Sequence, residues 1–546
     1  MKKLFYIFYI LFFPFTISVN AQWATDYNVN TLVSSSTSAD SKSLSTTDGK
    51  TYVVYWVVKP APVNYELHAQ LIDKNGSKLF GDDGVVVSQN AISATYISIY
   101  SITRDKDNNL FVGFTSTGET SSGYIQKISP IGELLWGVNG INLGTLKYDV
   151  KMFPSDHSGV YLSYYDGTYG YIQNLNTQDG SFQWQNTVKV SPPNANYPYT
   201  SVGEGAVLSD DSFVALIHGR QTSDVFSSFF AQRYATDGSP VWSNILKLSN
   251  RNTYFNTRYN IILEDDVIYL GYYGSSTTRF DSYLQRLNPD GTIPWGINGS
   301  DFSTTNAYYE MNTSIATTEG SQYIWSVSRY TTTSQGDNGE YIQKFNKNTG
   351  ERLLTDGAKE LFPVDGTGKI HAANIQMMKG KIIVPLREAN NSGVEPTNLS
   401  VAILDDNGDF VLDNKYKDIA TTNTYKSRVN FTSNDNQAVE VWEENRTGLE
   451  SDNKTYIQNF SIDDNSSIYD NSKKSDIYIY PNPVSSILNI VTDADIKACE
   501  ILDASGKNIK TFHSEKINLG NLPSGLYFLK VYISNGEVSV HKIVKK

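Results

Sequence analysis

From about residue 30 to the C-terminus the chain runs in short segments of alternating apolar and polar residues, each cut off by Asp, Asn, Gly or Pro. Asp105-Lys-Asp-Asn-Asn leads into Leu110-Phe-Val-Gly-Phe114, Asp210-Asp-Ser into Phe213-Val-Ala-Leu216, and Asp265-Asp into Val267-Ile-Tyr-Leu-Gly-Tyr272. A period of two puts alternate side chains on opposite faces of a strand, and the polar clusters supply the turns. Between residues 23 and 470 no stretch joins a 3.6-residue apolar period to helix caps, and β-branched and aromatic residues dominate the runs. The pattern predicts an all-β chain built of antiparallel meanders.

One phrase recurs eight times, at intervals of 47 to 59 residues: a glutamine, a polar run, a glycine, then a tryptophan or an apolar substitute. Its clearest copies are Gln126-Lys-Ile-Ser-Pro-Ile-Gly132-Glu-Leu-Leu-Trp136 and Gln285-Arg-Leu-Asn-Pro-Asp-Gly291-Thr-Ile-Pro-Trp295. The others start at Gln70, Gln173, Gln232, Gln343, Ala402 and Gln458, and close on Phe80, Trp184, Trp242, Leu354, Leu412 and Ile468. A span of this length is too long for one hydrophobic core, whereas repeated units each carry a small core and stack on their neighbours. Four short strands with their turns occupy roughly 40 to 50 residues, the length of a propeller blade. Eight blades are expected, with seven plus an irregular remainder as the alternative.

After each phrase the chain continues into a further apolar strand, except after the eighth, which runs into Asp470-Asn-Ser-Lys-Lys-Ser475. The missing piece stands at the other end, where Trp23-Ala-Thr-Asp-Tyr-Asn-Val29-Asn-Thr-Leu32-Val33 begins at the tryptophan place with no phrase before it. One blade shared by both termini would close the ring and remove two sheet edges. Trp23, Trp136, Trp184, Trp242 and Trp295, five of the eight tryptophans, are therefore expected to be structural. The phrase resembles the tryptophan-docking motif of quinoprotein-like eight-bladed propellers, with glutamine replacing that family's alanine in all but one copy.

The two ends read as addresses. Lys2 and Lys3 precede an apolar stretch from Leu4 to Val19 and then Asn20-Ala21, the layout of a secretory signal cleaved between Ala21 and Gln22. From Ser475 the composition changes: Ile477-Tyr-Ile-Tyr480-Pro481-Asn482-Pro483-Val484, then alternating runs, then Gly525-Leu526-Tyr527 and a final Lys545-Lys546. Alternation broken by turn residues predicts a small antiparallel sandwich. These three motifs resemble the type A C-terminal sorting domain of the type IX secretion system of Bacteroidota. That resemblance implies export through the periplasm, contact with the secretion machinery and a sortase, and attachment to the cell surface or release. The expected organisation is a signal peptide at 1–21, a propeller at 22–470, a linker at 471–475 and a sorting domain at 476–546.

No motif assigns chemistry to the propeller. The quinone enzymes commonly use a vicinal disulfide, and Cys499 is the one cysteine. The six histidines, His68, His157, His218, His371, His513 and His541, are scattered without metal-ligand spacing, and no serine sits in a Gly-x-Ser-x-Gly elbow. Asp105-x-Asp107-x-Asn109 begins like a calcium loop but has Leu110 and Ser116 where such a loop needs glycine and glutamate, so a turn is expected. The expectation is no catalytic, cofactor-binding or metal-binding residue.

A net charge of −12 argues against nucleic acid and anionic lipid as partners. Tyrosines at 164, 165, 169, 171, 197, 199, 308 and 309 could face a sugar or a protein, or fill blades. The resulting expectation is a secreted, surface-directed, non-catalytic propeller that binds an extracellular polymer or protein, without a membrane-spanning helix in the mature chain. The alternative is a propeller glycoside hydrolase or polysaccharide lyase whose carboxylates converge on the central channel.

Overall fold

The computed structural model describes residues 23–462, except 25, 94–98, 118–119, 158, 222–225, 255–259, 277–278, 366–367, 389–396, 435–436, 450–451 and 461, and residues 477–546, except 493–494, 504–506 and 534–537. Ala21, Gln22 and residues 471–475 fall outside that range. The chain divides into two compact units, Met1–Asp463 and Asp464–Lys546.

Among the described residues, the first unit consists of eight blades, each an antiparallel meander. Blade 1 starts at Ser38–Ser45, blade 2 at Tyr100–Arg104, blade 3 at Tyr148–Pro154 and blade 4 at Tyr199–Val207. Blades 5, 6 and 8 start at Asn260–Glu264, Tyr309–Ala316 and Lys426–Ser433, and the first strand of blade 7 is broken into Lys369–His371 and Gln376–Met378. Second strands are the most apolar, as in Thr51–Val58 and Leu110–Thr117, because both of their faces meet neighbouring blades. Each interface holds its own core, for example Tyr161, Ile172, Trp184, Phe213 and Ile217 between blades 3 and 4.

Blade 8 takes three strands from residues 426–460 and its fourth, Thr31–Leu32, from the N-terminal end. Thr31 pairs with Ile457 and Leu32 with Tyr456, and Val33 is fully buried with Val53, Val441 and Ile457. The Arg446 guanidinium donates to the carbonyls of Asn28 and Val29 at 2.9 and 2.7 Å. The ring is closed by pairing between its ends.

The recurring phrase is the fastening of each blade. Gln126 Nε2 donates to the Gly137 carbonyl at 2.8 Å while its Oε1 accepts the amides of Lys127 and Trp136. In blade 8 the partner of Gln458 Nε2 is the carbonyl of Ala24, at 2.9 Å, so Trp23-Ala24 stands where Trp136-Gly137 does in blade 2. Ile468, the end of the eighth copy along the sequence, lies outside the described residues.

In five of the phrases the glycine receives the tryptophan of the preceding blade, and Gly132 receives Phe80 in the same way. At Gly180, φ is +68°, and an added Cβ would stand 3.1 Å from the Trp136 indole and 2.0 Å from Ile141. Gly238 faces Trp184, Gly291 faces Trp242, Gly350 faces Trp295, and across the closure Gly76 faces Trp23. The indole N–H groups of Trp23, Trp184 and Trp242 donate to the Lys74, Thr236 and Pro289 carbonyls of the next blade, at 2.9, 2.7 and 3.1 Å.

The second unit pairs a three-stranded sheet (Tyr478–Tyr480, Ile487–Val491, Lys516–Asn518) with a four-stranded one (Asn508–Phe512, Ile496–Leu502, Gly525–Ile533, Val538–Lys545). Leu488, Ile490, Cys499, Ile501, Leu529, Val531 and Ile543 fill the space between them. Burial pushes the Cys499 thiol up to about 11, which makes it an inert core residue.

Candidate functional site

Because the strands of a blade run alternately up and down, the phrase turns lie on one face of the ring and the starts of the first strands on the other. On that second face several first strands bulge, with a non-glycine residue in the left-handed region: Asp40 (φ 50°), Asp149 (48°), Asn312 (55°) and Arg428 (51°). A bulge re-aims its side chain out of the strand pattern. Asp40, Asn312 and Arg428 all line a group of cavities of about 220, 390 and 380 Å³ that share lining residues. First strands of blades 1, 5, 6, 7 and 8 contribute to these walls, which places the cavities at the mouth of the central channel.

Arg329, from the second strand of blade 6, lines all three cavities, and Arg387 and His371 of blade 7 each line two. Glu340, fully buried, organises this group. Its Oε1 accepts the His371 backbone amide at 2.9 Å and its Oε2 lies 2.5 Å from His371 Nδ1. Arg329 Nε stands 3.6 Å from the same Oε1, and the arginine's terminal nitrogen donates to the His371 carbonyl at 3.2 Å. Burial pulls the Arg329 pKa below its ordinary value; Glu340 opposes that and the like charge of Arg387 adds to it. The Nε atoms of Arg329 and Arg387 are buried without a hydrogen-bond acceptor among the described residues.

Among the described residues the carboxylates that line these cavities are Asp40 in the third and Glu388 in the first, and each faces a cation: Arg428 at 3.5 Å and Lys369 at 3.1 Å. Paired acids at hydrolytic spacing therefore do not meet in them. Among the described residues no group of three His, Cys, Asp or Glu side chains could hold a metal. Asp105 Oδ1 accepts the amides of Asp107 and Asn109, closing a turn. Four of these tyrosines make ring contacts within the propeller: Tyr164 stacks on Tyr171 with centroids 5.2 Å apart, Tyr197 meets Phe230 edge-on, and Tyr308 lies against Tyr330. Arg329, Arg387 and Arg428 carried no signal in the sequence. His371 gained its meaning only when the fold set it beside Glu340.

In the second unit the three sequence motifs meet at one edge. Asn482 donates to the Lys542 carbonyl at 2.6 Å and accepts the Val544 amide at 2.9 Å, with Pro481 and Pro483 exposed on either side. Gly525, Leu526 and Tyr527 pair in register with Lys545, Val544 and Ile543, and the Tyr527 hydroxyl donates to Pro523. The Lys546 amide donates to Val484. Asn482→Ala is expected to cost the unit about 1 kcal/mol, the worth of an exposed pair of hydrogen bonds, and to speed amide exchange at Val544. Hydrogen-exchange mass spectrometry of the terminal peptide checks this.

Residues 478–546 match the family described as the secretion system C-terminal sorting domain. Among curated proteins, none matches the sequence. Solved structures similar to the chain include the Dos1 propeller (10% identity, 78% of this chain and 94% of that one, TM-score 0.41). The propeller domain of the Trilobed protease from Pyrococcus furiosus aligns at 9% identity over 72% of this chain and 98% of its own, with TM-score 0.36. A PL25 ulvan lyase bound to -[GlcA(1-4)Rha3S]- aligns at 13% identity over 72% and 91%, with TM-score 0.33. Identities this low bear on fold alone, and the propeller assignment rests on the blade topology above. The sorting domain at 478–546 sends the chain through the periplasm to the cell surface or beyond, as cargo of the type IX machinery.

Proposed function

We propose that the chain is a surface-directed binding protein whose propeller takes an extracellular polymer or protein at the channel mouth. The observation that supports this is the convergence of Arg329, His371, Arg387 and Arg428, from three blades, on connected cavities that hold no paired acids among the described residues. The Arg329 and Arg387 side chains are only partly buried and line two of the cavities together. A leader cleaved between Ala21 and Gln22, and handling by a sortase, complete the proposal.

Glycan and matrix-protein arrays probed with the purified chain are expected to show binding without turnover. Asn374→Trp, which fills the exposed rim of the largest cavity, should abolish it. Chains lacking residues 478–546 should stay inside the cell. One observation favours a second reading, cleavage of a glycan: a buried carboxylate orients the His371 imidazole, as a general base would require. Turnover that disappears in His371→Ala would replace the binding reading.

A further inference from the structure

We infer that the ligand of the channel mouth is an acidic polysaccharide, its carboxylate or sulfate groups held between Arg329 and Arg387. This rests on the reading of the mouth as the binding face and adds the chemistry of what binds there.

Two guanidinium groups line the same two cavities, and each buries an Nε that has no hydrogen-bond acceptor. Arg329 shares Glu340 with His371, whereas Arg387 has no carboxylate of its own among the described residues. Burial chiefly, and the like charge of Arg387 in addition, pull the Arg329 pKa below its ordinary value. An anion with planar or tetrahedral oxygens would accept from both forks and remove that repulsion. Arg428, whose side chain is 64% exposed, adds a further cation at the third cavity, with Asp40 3.5 Å from its Nε.

The rest of the lining selects the class of polyanion. Asn312, Thr331 and Asn338 in one cavity, Thr313 and Asn374 in the next, and Asn430 in the third supply amides and hydroxyls. Such walls suit a polyhydroxylated ring, with Tyr273 and Tyr425 as aromatic faces among the polar groups. Nucleic acid would need an extended basic track, whereas the cations here are confined to recessed cavities. A glycan instead presents single charges separated by hydroxylated rings, which a recessed cationic spot can take one at a time.

The test is affinity electrophoresis of the full chain in gels carrying polygalacturonate (carboxylate only), heparin (carboxylate and sulfate) or dextran (neutral). Retardation is expected with one or both polyanions, absent with dextran, and weakening as salt is added. Arg387→Gln and Arg428→Gln should each weaken it about tenfold, the effect of losing one charge-assisted hydrogen bond, with an unchanged melting temperature. No retardation by either polyanion, equal retardation by dextran, or indifference to Arg387→Gln overturns the inference. A neutral glycan or protein that binds and is displaced by Asn374→Trp would leave the channel mouth as the site and remove only its acidic ligand. Binding untouched by every one of these variants removes both.

Discussion

A chain that begins at residue 34 is expected to lose the cooperative unfolding of the propeller. Without residues 23–33, the strand Asn453–Phe460 becomes a bare edge, and Gln458 and Arg446 lose the carbonyls of Ala24, Asn28 and Val29. The interface of blades 8 and 1 loses Val33, which is fully buried, and Trp23, whose indole covers Gly76. Burial of side chains of that size stabilises by about 2 to 3 kcal/mol each, and the lost hydrogen bonds add to it, against a whole-domain stability of roughly 5 to 15 kcal/mol. Trp23→Ala alone should cost about 3 kcal/mol. Chemical denaturation followed by tryptophan fluorescence and circular dichroism measures both. Addition of a peptide of residues 23–33 should restore part of the transition in the shortened chain. If the shortened chain unfolds at the same denaturant concentration as the full one, the closure is ornamental and the ring is held by blade stacking alone.

The architecture could be read from the sequence because its instructions are local. Gln126, Gly132 and Trp136 lie within one turn and its flanks, and each does its work against the adjacent blade, so the phrase survives as a visible repeat. Even the closure left a trace, since an unmatched tryptophan at position 23 and a phrase without continuation at 458 are two halves of one unit. The site is the opposite case. Lys42, Arg329, His371, Arg387 and Arg428 come from four different blades, and their meeting is set by first-strand bulges at Asp40, Asn312 and Arg428 that leave no compositional mark. Net charge misleads here as well: a total of −12 is an average, and it conceals a pocket in which arginines gather. The eight tyrosines at 164–171, 197–199 and 308–309 could not be assigned from alternation, because a ring on either face of a strand obeys it.

Raising the pH from 5 to 8 is expected to destabilise the propeller, through carboxylic acids buried between blades. Glu310 accepts the Ser282 amide and the Ser303 hydroxyl, and burial raises its pKa from 4.5 to about 7. Glu443 accepts the Ser41 amide of the next blade and is likewise raised to about 7, burial again being the main cause. Glu440 is buried with no partner for either oxygen among the described residues, and burial raises its pKa well above the ordinary value. It sits opposite Gln458, where the other blades place Val53, Val112, Leu162, Ala215, Leu270, Ser326 and Val384 opposite their own phrase residue. In the unfolded chain all three acids ionise near 4.5, whereas the folded chain keeps them protonated to a higher pH. Between these limits the folded state binds more protons, so stability is complete below about pH 4.5 and falls as pH rises toward 7. The loss is of the order of 3 kcal/mol each for Glu310 and Glu443. Asp83 acts in the opposite sense and lower down, because hydrogen bonds from Ser34 and Ser35 hold its pKa near 2. The urea midpoint should therefore be highest near pH 4 to 5. Glu440→Met should stabilise the chain by about 1 to 3 kcal/mol at pH 5 for removing an unsatisfied buried acid, and by more at pH 8, where the acid must also be kept protonated. Combining it with Glu310→Gln and Glu443→Gln should flatten the pH profile. A wild-type midpoint at pH 8 equal to or above that at pH 5 would mean that these acids are solvated or paired, and that the gaps between blades 5 and 6 and around blade 8 are wetter than the packing of their neighbours implies.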